Sequence, residues 1–197
     1  MTAVPPDEQD AQDMARLAVG HDAALNELMA RHAERLFHYL MRSLQDEADA
    51  EDLAQETFVR VYQHRAKFDH RQKFSTWLYA IASNLVRDRY RWRARHPQVS
   101  LEAESETRGS GFHEGLPENR PSPSQRLEAE ERAATVRRAV AALPEELRLP
   151  LILWEYEERS QAEISRILNC SVKAVEMRIY RARQQLRVSL GKLMEPV

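Results

Sequence analysis

Arg87, Arg89, Arg91, Arg93 and Arg95 alternate with Asp88, Tyr90, Trp92 and Ala94. Guanidinium groups supply fixed charge for phosphates, and aromatic rings supply flat faces on which unstacked bases sit. The chemistry implied is the handling of opened nucleic acid as well as duplex. A second suitable set follows between 172 and 186. Lys173, Glu176, Met177, Tyr180, Arg181 and Gln184 fall on one side of a helical pattern, and Val172, Val175, Ile179, Ala182 and Leu186 fall on the other. A polar, basic face over an apolar one suits a helix that lies in a DNA groove. Each pattern also has a plainer reading. An arginine-rich helix end complements the helix dipole from a solvated face, and an amphipathic helix packs in any helical hairpin. Their occurrence together favours nucleic acid.

Helices must position both sets. Asp22 is the expected N-cap of a helix carrying Leu25, Leu28, Met29, His32, Leu36, Leu40 and Leu44 at steps of three and four. His32 lies on or beside that stripe without a second ligand at metal spacing, and reads as a half-buried histidine. A second helix spans about 49–64, with Leu53, Thr57, Phe58, Val61 and Tyr62 inward. Residues 65–74 lack helical periodicity and read as a loop. Ser75 is the expected cap of a third helix, with Phe74 and Tyr79 at hydrophobic-staple spacing and Trp77, Leu78, Ile81, Leu85 and Val86 on its apolar face.

The C-terminal part has the same character. A helix is expected over 125–143. Pro144 suits the first position of the next, with Glu145 and Glu146 in its first turn. Pro150 deletes a backbone donor and should kink that helix or move its start. Ser160 and Glu163 form a capping box, Asn169, Cys170 and Ser171 make a turn, and Ser171 caps the last helix. Two helices joined by so short a turn, the second with a basic outer face, read as a helix-turn-helix.

The bulk numbers agree. A chain of 197 residues, 43% hydrophobic, holds one large or two small domains. Five Gly, nine Pro and no alternating β-branched runs indicate an all-α fold. Residues 1–13 read as a disordered N-terminus. Residues 96–124 carry Pro97, Pro117, Pro121 and Pro123 with Gly109, Gly111 and Gly115, and are net acidic, the composition of a flexible linker. The net charge of −2 hides a strong segregation of acidic and basic segments. That asymmetry fits one polyanionic partner and a second, protein partner. No apolar run approaches the roughly 18 residues of a membrane span, and no signal sequence opens the chain. Cys170 is the only cysteine. A reducing, cytoplasmic setting is expected, with no disulfide and Cys170 as a small apolar filler. Neither cofactor, metal nor catalysis is expected, since no H-E-x-x-H motif, P-loop or glycine-rich phosphate cradle is present.

The segments DAEDLAQETFVRVY, FSTWLYAIASNLVRDRYR, LPEELR and SQAEISRILNCSVKAVEMRIYRARQQLR stand in an order and spacing that resembles the extracytoplasmic-function sigma factors of bacterial RNA polymerase. The resemblance covers about 12–95 and 125–190. It implies a sigma-two-like helical bundle at 14–95 and a sigma-four-like helix-turn-helix at 125–192, joined by the acidic linker. Asp52, Gln55 and Glu56 match the surface that grips core polymerase, though an acidic helix face is also simply soluble. Minus-ten DNA binding falls to Phe68, Lys73, Trp77, Asn84, Arg87 and Arg91. Asn84 matches the contact to a flipped base, and Trp77 is either a core aromatic or part of the melting wedge. Lys173, Glu176, Met177, Arg178, Tyr180, Arg181 and Arg183 match the minus-thirty-five face. The Glu176-Met177 pair departs from the basic or small polar pair common there, so a different upstream hexamer is expected. The implied function is promoter recognition and opening without catalysis. The implied partners are core RNA polymerase, promoter DNA and an anti-sigma protein. The competing reading is a stand-alone helix-turn-helix regulator, whose sensor domain would have no need of arginines and aromatics after an acidic helix.

Overall fold

The computed structural model describes residues 5–96 and 123–191. Among them, eight α-helices follow one another: α1 Pro6–Ala18, α2 Ala23–Leu44, α3 Glu47–His64, α4 Phe74–Arg95, α5 Pro123–Ala141, α6 Glu145–Glu155, α7 Gln161–Ile167 and α8 Val172–Leu190. A 3₁₀ turn, Arg65–Lys67, follows α3. No strand occurs among the described residues, in keeping with the all-α expectation. Most of the acidic linker, 97–122, lies outside them.

In the first module, local chemistry sets the α2–α3 hairpin. Gln45 takes the left-handed conformation (φ 56°), returns its N–H to the Met41 carbonyl and its side-chain amide to the Arg42 carbonyl at 2.8 Å. These bonds satisfy carbonyls that a helix end leaves open. Asp46 then caps α3 by accepting from the Asp49 N–H at 2.9 Å. Leu28, Leu36, Leu40, Val61, Leu78 and Val86 are all fully buried between α2, α3 and α4. The buried Tyr39 hydroxyl shares a 2.8 Å hydrogen bond with Ser83 Oγ, tying α2 to α4.

Three local expectations change. The N-terminus is helical from Pro6, which stands in the first turn with Asp7 and Glu8, a favourable start. Met14 and Leu17 of α1 are fully buried, and Asp10, 1% exposed, accepts from Arg31 Nε at 2.9 Å and meets His32 Nε2 at 2.7 Å. Burial pushes the Asp10 carboxyl up, but the bonds to His32 and Arg31 outweigh it and hold it below the usual carboxylate value. Asp22 is not a side-chain cap, because its backbone is already in the helical region. Nor does Ser75 cap α4. The helix starts two residues earlier, at Phe74 with Lys73 in the cap position, and the buried Ser75 Oγ instead accepts from Arg159 Nη1 at 2.9 Å.

The second module contains the expected capping box, with Ser160 Oγ accepting from the Glu163 N–H at 3.2 Å and Glu163 Oε2 accepting from the Ser160 N–H at 3.0 Å. Ser171 caps α8 by accepting from the Ala174 N–H at 3.1 Å. Pro150 sits inside α6 without ending it. Pro144 is the residue before the helix, in an extended conformation, one position earlier than expected. Leu143, Leu147 and Leu151 pack on Ala182 of α8.

The two modules share one apolar cluster, which runs from α1 to α4 and on into α6, α7 and α8. Polar groups fasten its edges. Arg148, 8% exposed, gives Nη1 to the Ser43 carbonyl at 2.8 Å and to Tyr90 Oη at 2.5 Å. Its Nη2 reaches the Ala141 and Leu143 carbonyls at 2.5 and 2.7 Å. One buried guanidinium thus terminates α5 and clamps it to α2 and α4.

Candidate nucleic-acid and protein interfaces

Asp52, Gln55, Glu56 and Val59 fall at helical steps on one side of α3. That side borders an open groove of about 1200 Å³ whose other wall is the outer face of α4, including Asp88, Arg91, Trp92 and Arg95. Asp52 and Gln55 are exposed, and Glu56 accepts from Arg60 Nε at 2.8 Å. Trp92 is 43% exposed and stacks on His96 with centroids 4.9 Å apart. A groove with a carboxylate and amide wall, apolar floor and basic opposite wall fits a helical, mixed-charge protein segment.

The loop 68–73 and the start of α4 form a second surface. Phe68, expected at the DNA, is 6% exposed, its ring against His70, Phe74 and Trp77 at 5.1, 6.2 and 5.2 Å. A loop that crosses the core between the 3₁₀ turn and α4 needs an apolar anchor, and Phe68 supplies it, so its part is to shape the loop. Trp77 belongs to the same cluster but keeps part of its surface outside. Asp69 holds Arg71 through its backbone N–H, Nε and Nη2, and these bonds bring the Asp69 carboxyl down to about 2. Lys73 and Asn84 are exposed. Lys73 Nζ stands 3.2 Å from Asp7 of α1 and 3.5 Å from Glu163 of α7, and the Asp7 bond raises its pKa.

The arginine run divides. On a helix, alternate residues point to opposite sides. Arg89 and Arg93 turn inward to Asp49, which is 9% exposed, and Arg93 also meets Asp46 at 3.0 Å. Arg87 donates to the Leu168 carbonyl at 3.2 Å and lies 3.5 Å from Glu145. Burial raises the Glu145 carboxyl despite Arg87 and Arg91 nearby. Arg91 and Arg95 remain exposed, and Arg91 pairs with its neighbour Asp88. Three of the five guanidiniums therefore hold the protein together.

On α8, Lys173, Glu176, Met177, Tyr180, Arg181 and Arg183 are all exposed on the helix-turn-helix. Tyr180 shows 58% of its surface and Met177 39%. Lys173 Nζ lies 3.0 Å from Glu176 Oε2, and Glu155 at the end of α6 accepts from Arg183 Nη2 at 2.5 Å. Arg178 differs from the rest. It is half-buried and lines a cavity of about 280 Å³ with Arg87, Glu145 and Cys170 between the modules. Sequence reasoning missed Asp7, Asp49, Arg148 and Glu157, all of which act through partners far away in sequence. Among the described residues no metal-ligating cluster of three or more occurs, and no helix is long and apolar enough to cross a membrane.

A helical bundle with an open groove between α3 and α4 is followed by a helix-turn-helix whose last helix exposes a polar and basic face. The family model for sigma-70 region 2 matches residues 28–96, and that for sigma-70 region 4 matches 133–186. The chain is 32% identical to the RNA polymerase sigma-H factor of Pseudomonas aeruginosa over 188 residues, covering 95% of this chain and 96% of that one. It is 34% identical to the ECF RNA polymerase sigma factor SigW of Bacillus subtilis over 175 residues, covering 88% and 92%. Among solved structures, CnrH in complex with the cytosolic domain of CnrY aligns with a TM-score of 0.66 and 29% identity, over 93% of this chain and 98% of that one. The chain belongs to the extracytoplasmic-function sigma factors of bacterial RNA polymerase. Its role lies in RNA polymerase binding and promoter recognition, and the region 2 match over α2–α4 removes the stand-alone regulator with a separate sensor.

Proposed function

We propose that the three surfaces divide the work of promoter recognition. The α3 face, with Asp52, Gln55 and Glu56, docks on core polymerase. The loop 68–73 and the outer face of α4 read and hold the opened minus-ten strand, with Asn84 at a base edge and Lys73 and Arg91 at phosphates. Asn84 offers both donors and acceptors, which a base edge requires. The α8 face reads the minus-thirty-five element in the major groove through Lys173, Glu176, Met177, Tyr180 and Arg181, while Arg183 serves phosphate. Arg87 and Arg178 join the DNA only after the modules part. The observation that carries this division is the exposure of Asp52 and Gln55 on α3, of Lys73 and Asn84 at the loop and on α4, and of the six named side chains on α8; Arg91 lines the groove that the α3 face also borders. An anti-sigma protein is a further proposed partner, supported by the likeness to CnrH, solved with the cytosolic domain of CnrY.

Two variants separate docking from reading. Asp52→Ala with Gln55→Ala should weaken retention of core polymerase in a pull-down. Asn84→Ala should leave retention intact and reduce permanganate-reactive thymines on the cognate promoter. Unchanged melting with Asn84→Ala would sink the base-edge assignment.

A further inference from the structure

The loop 68–73 has few anchors of its own. Asp69, His70, Arg71 and Lys73 are exposed, and the bonds within it are local, from the Arg71 N–H to Asp69 Oδ1 and from the Gln72 N–H to the Asp69 carbonyl, both at 3.0 Å. Such bonds shape the loop without placing it against α4. Placement falls to the aromatic residues at its two ends. Phe74, 1% exposed, meets Phe68 with ring centroids 6.2 Å apart, and the two meet Trp77 at 6.3 and 5.2 Å. Behind this cluster stands His32 of α2, edge-on to Phe74 at 5.2 Å. Its Nε2 lies 2.7 Å from Oδ2 of Asp10, the buried carboxylate of α1, whose Oδ1 accepts from Arg31 Nε at 2.9 Å. Arg31 Nη2 also donates to Asp13 at 2.6 Å. Helix α1 touches the 3₁₀ turn that leads into the loop, and its Asp7 lies 3.2 Å from Lys73 Nζ at the loop's other end. Docking alone does not call for this chemistry. Met14 and Leu17 already bury α1, and an apolar residue at position 10 would add to that burial. A buried carboxylate adds little stability over an apolar residue, but its bonds are directional and fix one arrangement.

We infer that Asp10 and His32 are positioning residues for minus-ten recognition: through the Phe74 ring they set where the loop 68–73 stands relative to Asn84, and so how strictly the base is read. Neither residue touches DNA. The inference rests on the reading of the opened strand by that loop and Asn84 proposed above. A displacement of about 1 Å takes a base-edge hydrogen bond out of range, so a small shift of the loop is enough to blunt discrimination.

The test uses the full chain and three variants. Asp10→Asn keeps the shape and removes the charge. His32→Phe keeps a ring against Phe74 and removes the bond to Asp10. Leu44→Ala, in the core at the C-terminal end of α2, is the control for lost stability. Hydrogen exchange over residues 65–77 reports the order of the loop. Selection from randomised minus-ten elements by the polymerase holoenzyme reports base discrimination. Asp10→Asn should speed exchange over 65–77 and lower the preference for the best base over the next by about tenfold at one position, the worth of a single base contact. His32→Phe should show both effects in smaller degree. Both variants should keep wild-type retention of core polymerase and wild-type minus-thirty-five preference. Leu44→Ala should lower the urea midpoint at least as far as Asp10→Asn and leave loop exchange and base discrimination at wild-type values. Wild-type exchange in Asp10→Asn overturns the inference, and so does wild-type discrimination. Equal loss of discrimination in Leu44→Ala also overturns it, since the role would then be general stability. A wrong minus-ten reading is told apart by Asn84→Ala, which would leave discrimination untouched in an otherwise wild-type chain, whereas exchange over 65–77 needs neither polymerase nor promoter.

Discussion

The C-terminal half of α4 and the outer face of α8 carry similar residues and use them differently. On α4, Arg89 and Arg93 are spent on Asp49, and Arg87 on the second module. On α8, Lys173, Arg181 and Arg183 stand in solvent, and their carboxylate neighbours Glu176 and Glu155 are themselves half in water. The difference follows from position. Helix α4 is the central element of its bundle and meets α2, α3 and α7, so most of its sides face protein. Helix α8 lies at the edge of a smaller module and buries one stripe, Val175, Ile179 and Ala182. Arginine density alone does not measure a DNA surface. What counts is how many guanidiniums remain after the internal carboxylates have been satisfied.

The strongest way to probe the structural side of this contrast is Arg148→Met. The substitution keeps much of the volume and removes every bond to the Ser43, Ala141 and Leu143 carbonyls and Tyr90. Buried carbonyls left without donors cost about 1–3 kcal/mol each, so urea unfolding should show a loss of about 3 kcal/mol or more. A loss under 1 kcal/mol would mean that water replaces the guanidinium.

Asp49→Ala should come next. It strips the inward partner from both Arg89 and Arg93. Breaking a fully buried pair costs about 3–5 kcal/mol, but these arginines keep 28% and 38% of their side-chain surface in water, so about 2 kcal/mol is expected. The freed guanidiniums should also raise salt-sensitive, non-specific DNA affinity. By contrast, Arg181→Ala on α8 should reduce DNA affinity with unchanged unfolding. If Asp49→Ala altered neither stability nor DNA binding, the division between internal and external arginines would be wrong.

The acid end of the stability profile extends the same contrast to α1. Asp10 is held by Arg31 and His32, and its folded carboxyl lies below the ordinary value. Its stabilising contribution is therefore fully present above the unfolded carboxyl value of about 3.9 and is lost as pH falls through the folded one. Asp10→Asn should cost about 1.5 kcal/mol at neutral pH. It should also flatten the acid limb of the unfolding profile relative to wild type. An equally steep limb in the variant would assign the acid loss to other carboxylates.

Much of the second module was legible in the sequence because its signals are local. The box at Ser160 and Glu163 and the cap at Ser171 each join residues three positions apart, and the α8 stripe is one period repeated. The first module hid more. Helix α1 had a readable start in Pro6, Asp7 and Glu8, but the acidic composition of the segment masked the two apolar residues, Met14 and Leu17, that dock it. The alternation of arginines at 87–95 looked uniform, although a helix sends alternate residues to opposite sides and divides them between Asp49, the second module and solvent. The closure between modules left no local trace. Tyr79 and Glu157 are 78 residues apart, and Arg148 and Ser43 are 105 apart. Neither separation carries a period or a cap that one chain's sequence would reveal.

The smallest effect concerns Glu176, on the exposed face of α8. Its Oε2 lies 3.0 Å from Lys173 Nζ, and both side chains are more than half exposed. Such a pair one turn apart contributes only about 0.2–0.5 kcal/mol, so the carboxylate is free to exchange lysine for a base donor. A glutamate in the major groove accepts from cytosine N4 and repels phosphate. Glu176→Arg should therefore change the preferred base at one or two upstream positions, with about 1 kcal/mol of discrimination, at the low end for a single contact because Lys173 competes for the carboxylate. Folding stability should stay within about 0.5 kcal/mol of wild type. Selection from randomised minus-thirty-five elements by the polymerase holoenzyme, with either protein, measures the change. An unchanged base preference with higher affinity and a steeper salt dependence would assign Glu176 to the phosphate backbone. The contrast between α4 and α8 would then narrow, since on both helices a carboxylate would serve to restrain a neighbouring cation.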